Sequence, residues 1–216
     1  YKFRLYSNFT FFLEDSINGD QIEQGDVRTT SGINSHYSVT HKLGSLTNRL
    51  TIGATFRTDD INNELWHTVK RKRLSNTALA DINEVATALY FNEVIRFNDK
   101  LRLELGGRYD YLTFNVEDHI PSDTLRQNYS GFNYQTAFSP KVNLIYTPSS
   151  RYQFFINYGH GFHSNDARST VQEQTQHQLP LSVGGEVGTL LHFGKKVVVS
   201  AALWTLNLEN ELVYVG

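Results

Sequence analysis

Leu101-Arg102-Leu103-Glu104-Leu105-Gly106-Gly107-Arg108-Tyr109-Asp110-Tyr111 is the stretch that decides the fold class. Leu101, Leu103, Leu105, Tyr109 and Tyr111 share one parity, and Arg102, Glu104, Arg108 and Asp110 share the other. Successive side chains of a strand point to opposite faces, so a period of two builds one apolar wall and one charged wall. A helical period would scatter both sets.

The same alternation recurs, and outward from this stretch the chain reads as about nine strands, near residues 1–14, 28–42, 46–58, 83–97, 101–117, 134–147, 151–163, 181–193 and 196–210. Tyr152, Phe154, Ile156 and Tyr158 alternate with Gln153 and Asn157; Leu50, Ile52, Ala54 and Phe56 alternate with Thr51, Gly53, Thr55 and Arg57. Short turns fit Gly44-Ser45, Asn98-Asp99-Lys100, Pro148-Ser149-Ser150 and Gly194-Lys195, whose residues relieve or set turn angles. Longer polar connections are expected at 15–27, 59–82, 118–133 and 164–180. In an up-and-down meander this alternation puts every short turn at one rim and every long loop at the other, as in membrane barrels.

Composition agrees. The 216 residues include 12 Tyr and 14 Phe but only 4 Pro and no Met or Cys, which favours strands and excludes disulfide or thiol chemistry. A formal net charge of -2 gives no argument for nucleic acid as a partner. Tyr1 to Leu13 do not read as a secretory signal, and no apolar run approaches the roughly 18 to 20 residues of a transmembrane helix. A soluble β-sandwich also alternates, but its strands are shorter and it has no need of rim asymmetry.

A barrel in lipid must close, and bacterial barrels generally use an even strand number, so nine strands point to part of a larger barrel. Tyr1 opens directly in a strand, and Leu212-Val213-Tyr214-Val215-Gly216 lacks a terminal aromatic residue. The expectation is a partial barrel domain over 1–216, with both ends of the parent missing.

The second half resembles a TonB-dependent outer-membrane receptor. The resemblance rests on Leu105-Gly106-Gly107-Arg108-Tyr109-Asp110, on Phe138-Ser139-Pro140-Lys141-Val142-Asn143-Leu144, and on the run from Phe154 through Tyr158-Gly159-His160-Gly161-Phe162-His163 to Arg168. It continues through Glu186-Val187-Gly188-Thr189 and Ala202-Leu203-Trp204 to Gly216, and the first half matches in rhythm only. The resemblance implies a 22-stranded parent in the bacterial outer membrane, with an N-terminal plug in its lumen. It implies energy from a TonB-type complex acting through that plug, outer-membrane lipid around the wall, and a ferric siderophore or related metal chelate as cargo. It implies no enzyme and no resident cofactor. A passive porin or surface-binding barrel is the alternative.

Individual residues carry narrower expectations. Arg102, Glu104, Arg108 and Asp110 are expected to face the lumen or plug, since charge is costly in hydrocarbon. Gly106 and Gly107 fit close packing against a plug or ordinary wall curvature. The Lys70-Arg71-Lys72-Arg73 run, with Trp66 and His67 beside it in the 59–82 connection, suits an anionic chelate, the phosphates of surface lipid, or plain solvent. His163 and Arg168 are further candidate ligand contacts. His160, His163, Asp166 and His177 have metal-binding side chains without a compact ligand spacing, so no metal site is assigned. Ser164, Asp166 and His163 are residue types of a hydrolase, but sequence proximity does not orient a triad. Tyr109, Tyr111, Tyr146, Tyr158, Trp204 and Tyr214 are candidates for interfacial aromatic girdles, with Trp204 placed equally well in a vestibule or against a plug.

Overall fold

The computed structural model describes residues 1–120, 128–172, 178–194 and 196–209. Nine strands follow one another as β1 Lys2–Ser7, β2 Ile22–Leu43, β3 Leu46–Val69, β4 Lys72–Arg96, β5 Leu101–Asp118, β6 Gly131–Ser149, β7 Tyr152–Phe162, β8 Leu181–Phe193 and β9 Val197–Leu208. They form one sheet in sequence order, and every neighbouring pair is antiparallel. One short helix, α1 Ala167–Gln172, lies between β7 and β8.

The register carries a single apolar face across the meander. Tyr37 stands opposite Ile52, Ile52 opposite Phe91, Leu89 opposite Tyr109 and Tyr109 opposite Phe138. Val142 then faces Tyr158, Ile156 faces Val187 and Val187 faces Leu203. These side chains are exposed, so a chain that buried only this sheet in water would leave its widest apolar surface wet. At about 3.4 Å per residue and a tilt of about 40°, the run from Leu101 to Tyr111 rises about 26 Å, close to the height of an outer-membrane apolar band.

The expected long connection at 59–82 is instead a continuous hairpin. β3 and β4 run 24 and 25 residues and meet at a two-residue tip, Lys70-Arg71, both with positive φ of 48° and 65°. That is the backbone twist a tight hairpin needs. Above Phe56 the former apolar parity becomes Thr58, Asp60, Asn62 and Glu64, so hydrophobic alternation vanishes while strand pairing continues. Side-chain amides take over part of the cross-strand bonding: Asn62 donates to Asp81 at 2.9 Å and Asn83 to Asp60 at 2.7 Å.

Two other connections also differ from expectation. β1 stops at Ser7, well short of residue 14, and β2 begins at Ile22 rather than near 28. Asp20 explains the break: its carboxylate accepts from the backbone N–H groups of Leu13, Glu14 and Asp15, at 2.8, 3.1 and 2.7 Å, and holds the segment as a compact loop. The 164–180 connection is not plain loop either. It folds α1 onto the polar face of the upper strands, where Ala167 and Val171 pack with Ile61, Ile82, Phe114 and Val116. Asn133 donates to the Thr170 carbonyl at 2.7 Å and fixes the helix there. This cluster is the main buried core of the described residues.

Candidate functional site

The polar face carries the charged groups in cross-strand rows. Arg102, Glu104, Arg108 and Asp110 all lie on it, opposite in parity to Leu103 and Tyr109. Arg108 grips Asp110 through Nε at 2.9 Å and through a second guanidinium nitrogen at 2.7 Å. Arg57 holds Asp59 in the same two-residue geometry at 2.7 Å, and Thr30 donates to that carboxylate at 2.6 Å. Arg102 pairs with Glu104 at 3.1 Å. The wall therefore presents guanidinium groups oriented by their own carboxylates, with Arg57 and Arg108 retaining exposed edges.

Farther along, Glu104, Asn143, Asn157, Glu186 and Trp204 form one row over β5 to β9. Asn157 donates to Glu186 at 3.2 Å. Beside this row lies a shallow depression of about 560 Å³, with Gly159, Gly161 and Gly184 in its lining and Lys141 and Trp204 among its bulkier residues. The register puts Trp204 on the polar face with Glu186, so it is not part of the lipid-side girdle. Tyr109, Tyr111, Tyr146 and Tyr158 do lie on the apolar face, and Tyr214 lies outside the described residues.

The glycine pair divides between the faces. Gly106 sits beneath Lys141, and Gly107 beneath Phe91 and Phe138, so each makes room for a neighbouring side chain of the wall itself.

At the hairpin rim the basic run is split. Arg73 pairs with Glu23 and Glu64, each at 2.7 Å, and lies 4.5 Å over the Trp66 ring. Trp66 donates to Glu64 at 2.9 Å, Arg4 pairs with Glu23 at 3.0 Å, and Arg71 lies 5.2 Å over Tyr6. Glu23 is 1% exposed. Its position opposite Trp66 places this cluster on the apolar parity above the belt, away from the polar wall. Lys70 and Lys72 have no carboxylate within ion-pair distance among the described residues. His67 takes the other parity and donates to the Gly19 carbonyl at 2.6 Å, tethering the 8–21 loop. Sequence reading missed Glu23 and Glu64; two acidic residues far from each other in the chain gave no local sign of converging on Arg73.

In the connection before β8, Arg168 pairs with Asp166 at 2.9 Å. Burial pushes the Asp166 carboxyl up, but the hydrogen bond and charge of Arg168 outweigh it and hold the carboxyl below its usual range. His163 donates its backbone N–H to Pro180, and Ser164 is exposed. No contact joins Ser164, His163 and Asp166 as nucleophile, base and orienting acid among the described hydrogen bonds. His160 bonds Tyr158 at 2.7 Å on the apolar parity, and His177 lies outside the described residues. No three His, Cys, Asp or Glu side chains gather in a metal-binding group among the described residues.

Comparison with known proteins completes the site. The family model described as TonB dependent receptor-like, beta-barrel matches residues 1–216. A search of the curated proteins finds no match. The ferric citrate transporter FecA in its unliganded form is similar in structure at a TM-score of 0.74 and 13% identity, over 87% of this chain and 28% of FecA. BauA, the ferric preacinetobactin receptor from Acinetobacter baumannii, matches at 0.73 and 10% identity, over 95% of this chain and 33% of BauA. The ferric-catecholate import receptor Fiu from E. coli K12, in closed form, matches at 0.60 and 14% identity, over 88% of this chain and 32% of Fiu. The chain thus spans a third or less of the length of these solved receptors. With an apolar belt on one face, oriented charge on the other and a family match along its whole length, the chain belongs to the TonB-dependent receptor β-barrel family of the bacterial outer membrane.

Proposed function

We propose that this chain is part of the wall of an energy-coupled uptake receptor for a ferric siderophore or related metal chelate. The observation that carries the reading is the two-faced wall, matched by a receptor family model over residues 1–216. The names of FecA, BauA and Fiu, a ferric citrate transporter and two receptors for ferric preacinetobactin and ferric catecholates, support the cargo class. The family is one of receptors, and the chain is not an enzyme.

In this reading the parent has 22 strands and an N-terminal plug in its lumen, and residues 1–216 are a partial barrel domain without that plug. Arg102, Glu104, Arg108 and Asp110 face the lumen or plug. His163 and Arg168, on the connection whose α1 covers the upper polar face, contact cargo from inside the mouth. Lys70, Arg71 and Lys72 at the hairpin tip steer an anionic chelate, while Trp66, His67 and Arg73 fix the tip that presents them. A TonB-type complex supplies the energy by acting on the plug.

The test is uptake of radiolabelled iron by cells lacking or expressing the intact parent, supplied with ferric citrate, ferric catecholates and mixed-ligand chelates. Receptor-dependent uptake of one class that stops when the membrane energy supply is removed supports the proposal. A receptor that passes small solutes equally well without energy, or no receptor-dependent uptake of any chelate, rejects it.

A further inference from the structure

The lipid-side belt is interrupted near its short-turn rim by a pair of ionisable side chains. His41 on β2 and Glu93 on β4 lie on the apolar parity and reach across β3 to meet, His41 Nε2–H donating to Glu93 Oε1 at 2.9 Å. Beneath them lies Asn48, which stands opposite His41 on one side and Ile95 on the other. Asn48 is 1% exposed, and neither its amide nitrogen nor its amide oxygen has a hydrogen-bond partner. The neighbours on this face are hydrocarbon: Leu50 and Leu105 flank Glu93, and Leu43 and Leu46 lie toward the turn.

A carboxylate and a buried, unsatisfied amide are both costly against acyl chains, and packing alone does not require either. Their level is informative. His41 and Asn48 stand close to the Gly44-Ser45 turn, about 10 Å above the short-turn rim at a rise of about 3.4 Å per residue and a tilt of about 40°. Short turns lie at the periplasmic side, so this notch meets the region where headgroups join acyl chains in the inner leaflet.

We propose that His41, Asn48 and Glu93 form a binding notch for the headgroup of an aminophospholipid of the surrounding membrane. The free carboxylate oxygen of Glu93 accepts from a primary ammonium, with the unpartnered Asn48 amide buried directly behind it. The exposed imidazole edge of His41 lies where it can serve the adjoining phosphodiester. A zwitterionic headgroup supplies both halves, and Leu43, Leu46, Leu50 and Leu105 beside the notch are on the lipid-side parity. This inference rests on the membrane setting of the wall and not on the cargo.

The test uses the intact parent receptor in nanodiscs of equal phosphatidylethanolamine and phosphatidylglycerol, with retained lipid read by native mass spectrometry. The expected result is a retained phosphatidylethanolamine enriched about tenfold, the factor of one charge-assisted hydrogen bond. E93L should abolish the enrichment while the receptor still shows heat-modifiable migration, because it puts an apolar side chain against lipid. Should E93L fail to insert, E93Q keeps the shape and removes the charge, and it too should lose the enrichment. Phosphatidylcholine, which has no N–H to donate, should not replace the retained lipid. Equal enrichment in wild type and E93Q overturns the proposal, as does a wild type with no lipid preference. Receptor dimers that disappear in E93Q, without lipid enrichment in the wild type, assign the notch to a second copy and also overturn it.

Discussion

Arg108 on β5 reaches over β4 to donate to the Thr55 hydroxyl of β3 at 3.2 Å, while the same guanidinium holds Asp110. Ala88, 2% exposed, stands in the intervening row between Thr55 and Asp110. A long cation bridging three strands needs a small residue beneath it. Arg108→Ala would leave Asp110, itself 2% exposed, without its cation, at a cost of about 1–3 kcal/mol once the exposure of Arg108 is allowed for. Urea titration of the folded, intact receptor in detergent measures it. Asp110→Asn in the Arg108→Ala background should recover part of the loss, since it removes the orphaned charge.

Tyr90 lies across Gly53 on the polar face and donates to Asn34 at 3.4 Å, and a Cβ at position 53 would collide with its ring. Gly53→Val should therefore destabilise by about 1–3 kcal/mol, the range of overpacking. Tyr90→Ala should relieve most of that penalty. A double-mutant cycle measured by the same titration gives the coupling, and additive effects would show that the ring does not depend on the glycine.

Low pH should loosen the 8–21 loop. Backbone N–H donation from Asp15, followed by Glu14 and Leu13, holds the Asp20 carboxyl below its usual 3.8 despite some burial. Backbone N–H donation from Asn18 leads the same effect at Asp15. For a depressed carboxylate the folded state gains stability that is full above the ordinary value and lost as pH falls through the depressed one. Protection of the Leu13, Glu14 and Asp15 amides from hydrogen exchange should hold at pH 5 and decline below about 3.8, and Asp20→Asn should lower it at every pH.

High pH should release His119. Its hydrogen bond to Asp81 at 2.8 Å raises the imidazole above its usual 6.5, with the charges of Asp81, Glu117 and Asp118 adding to the shift. The sign is opposite to that of Asp20: the contribution is full below 6.5 and is lost as pH rises through the raised folded value. A proton titration of His119 by NMR, repeated in Asp81→Asn, should move the midpoint back toward 6.5.

The sequence was most legible where the environment on the two sides of a strand differs most. Between Leu101 and Tyr111 one face meets hydrocarbon and the other charge, so parity alone reads out the strand and its register. From Thr58 to Val69 both faces are polar, and the same covalent geometry leaves no hydrophobic period. The long hairpin therefore reads as a loop in sequence, and cross-strand bonds such as Asn83 to Asp60 show it to be sheet. The strand from Val197 to Leu208 has apolar residues on both faces, so parity does not place Trp204, and its face is decided by pairing with Glu186, a long-range fact. The same applies to Glu23, whose ion pair with Arg73 joins residues fifty positions apart.

That ion pair separates support from recognition in the basic run. Arg73 is held by Glu23 and Glu64 and covers Trp66, so its charge is already matched within the wall. Lys70 at the tip and Lys72 beside it are exposed. Arg73→Ala would leave the buried Glu23 with only Arg4 and the Tyr6 hydroxyl and should destabilise by about 1–3 kcal/mol, with a disordered tip seen as faster amide exchange at Trp66 and His67. The double substitution of Lys70 and Lys72 by Ala should leave stability within about 0.5 kcal/mol, as at other exposed sites. It should slow association with an anionic chelate several-fold at low salt, and the difference from wild type should shrink as ionic strength rises and screens the charges. Stopped-flow binding to the intact receptor at two salt concentrations checks this. A slower association that persists unchanged in high salt would show that the lysines act by direct contact and not by steering.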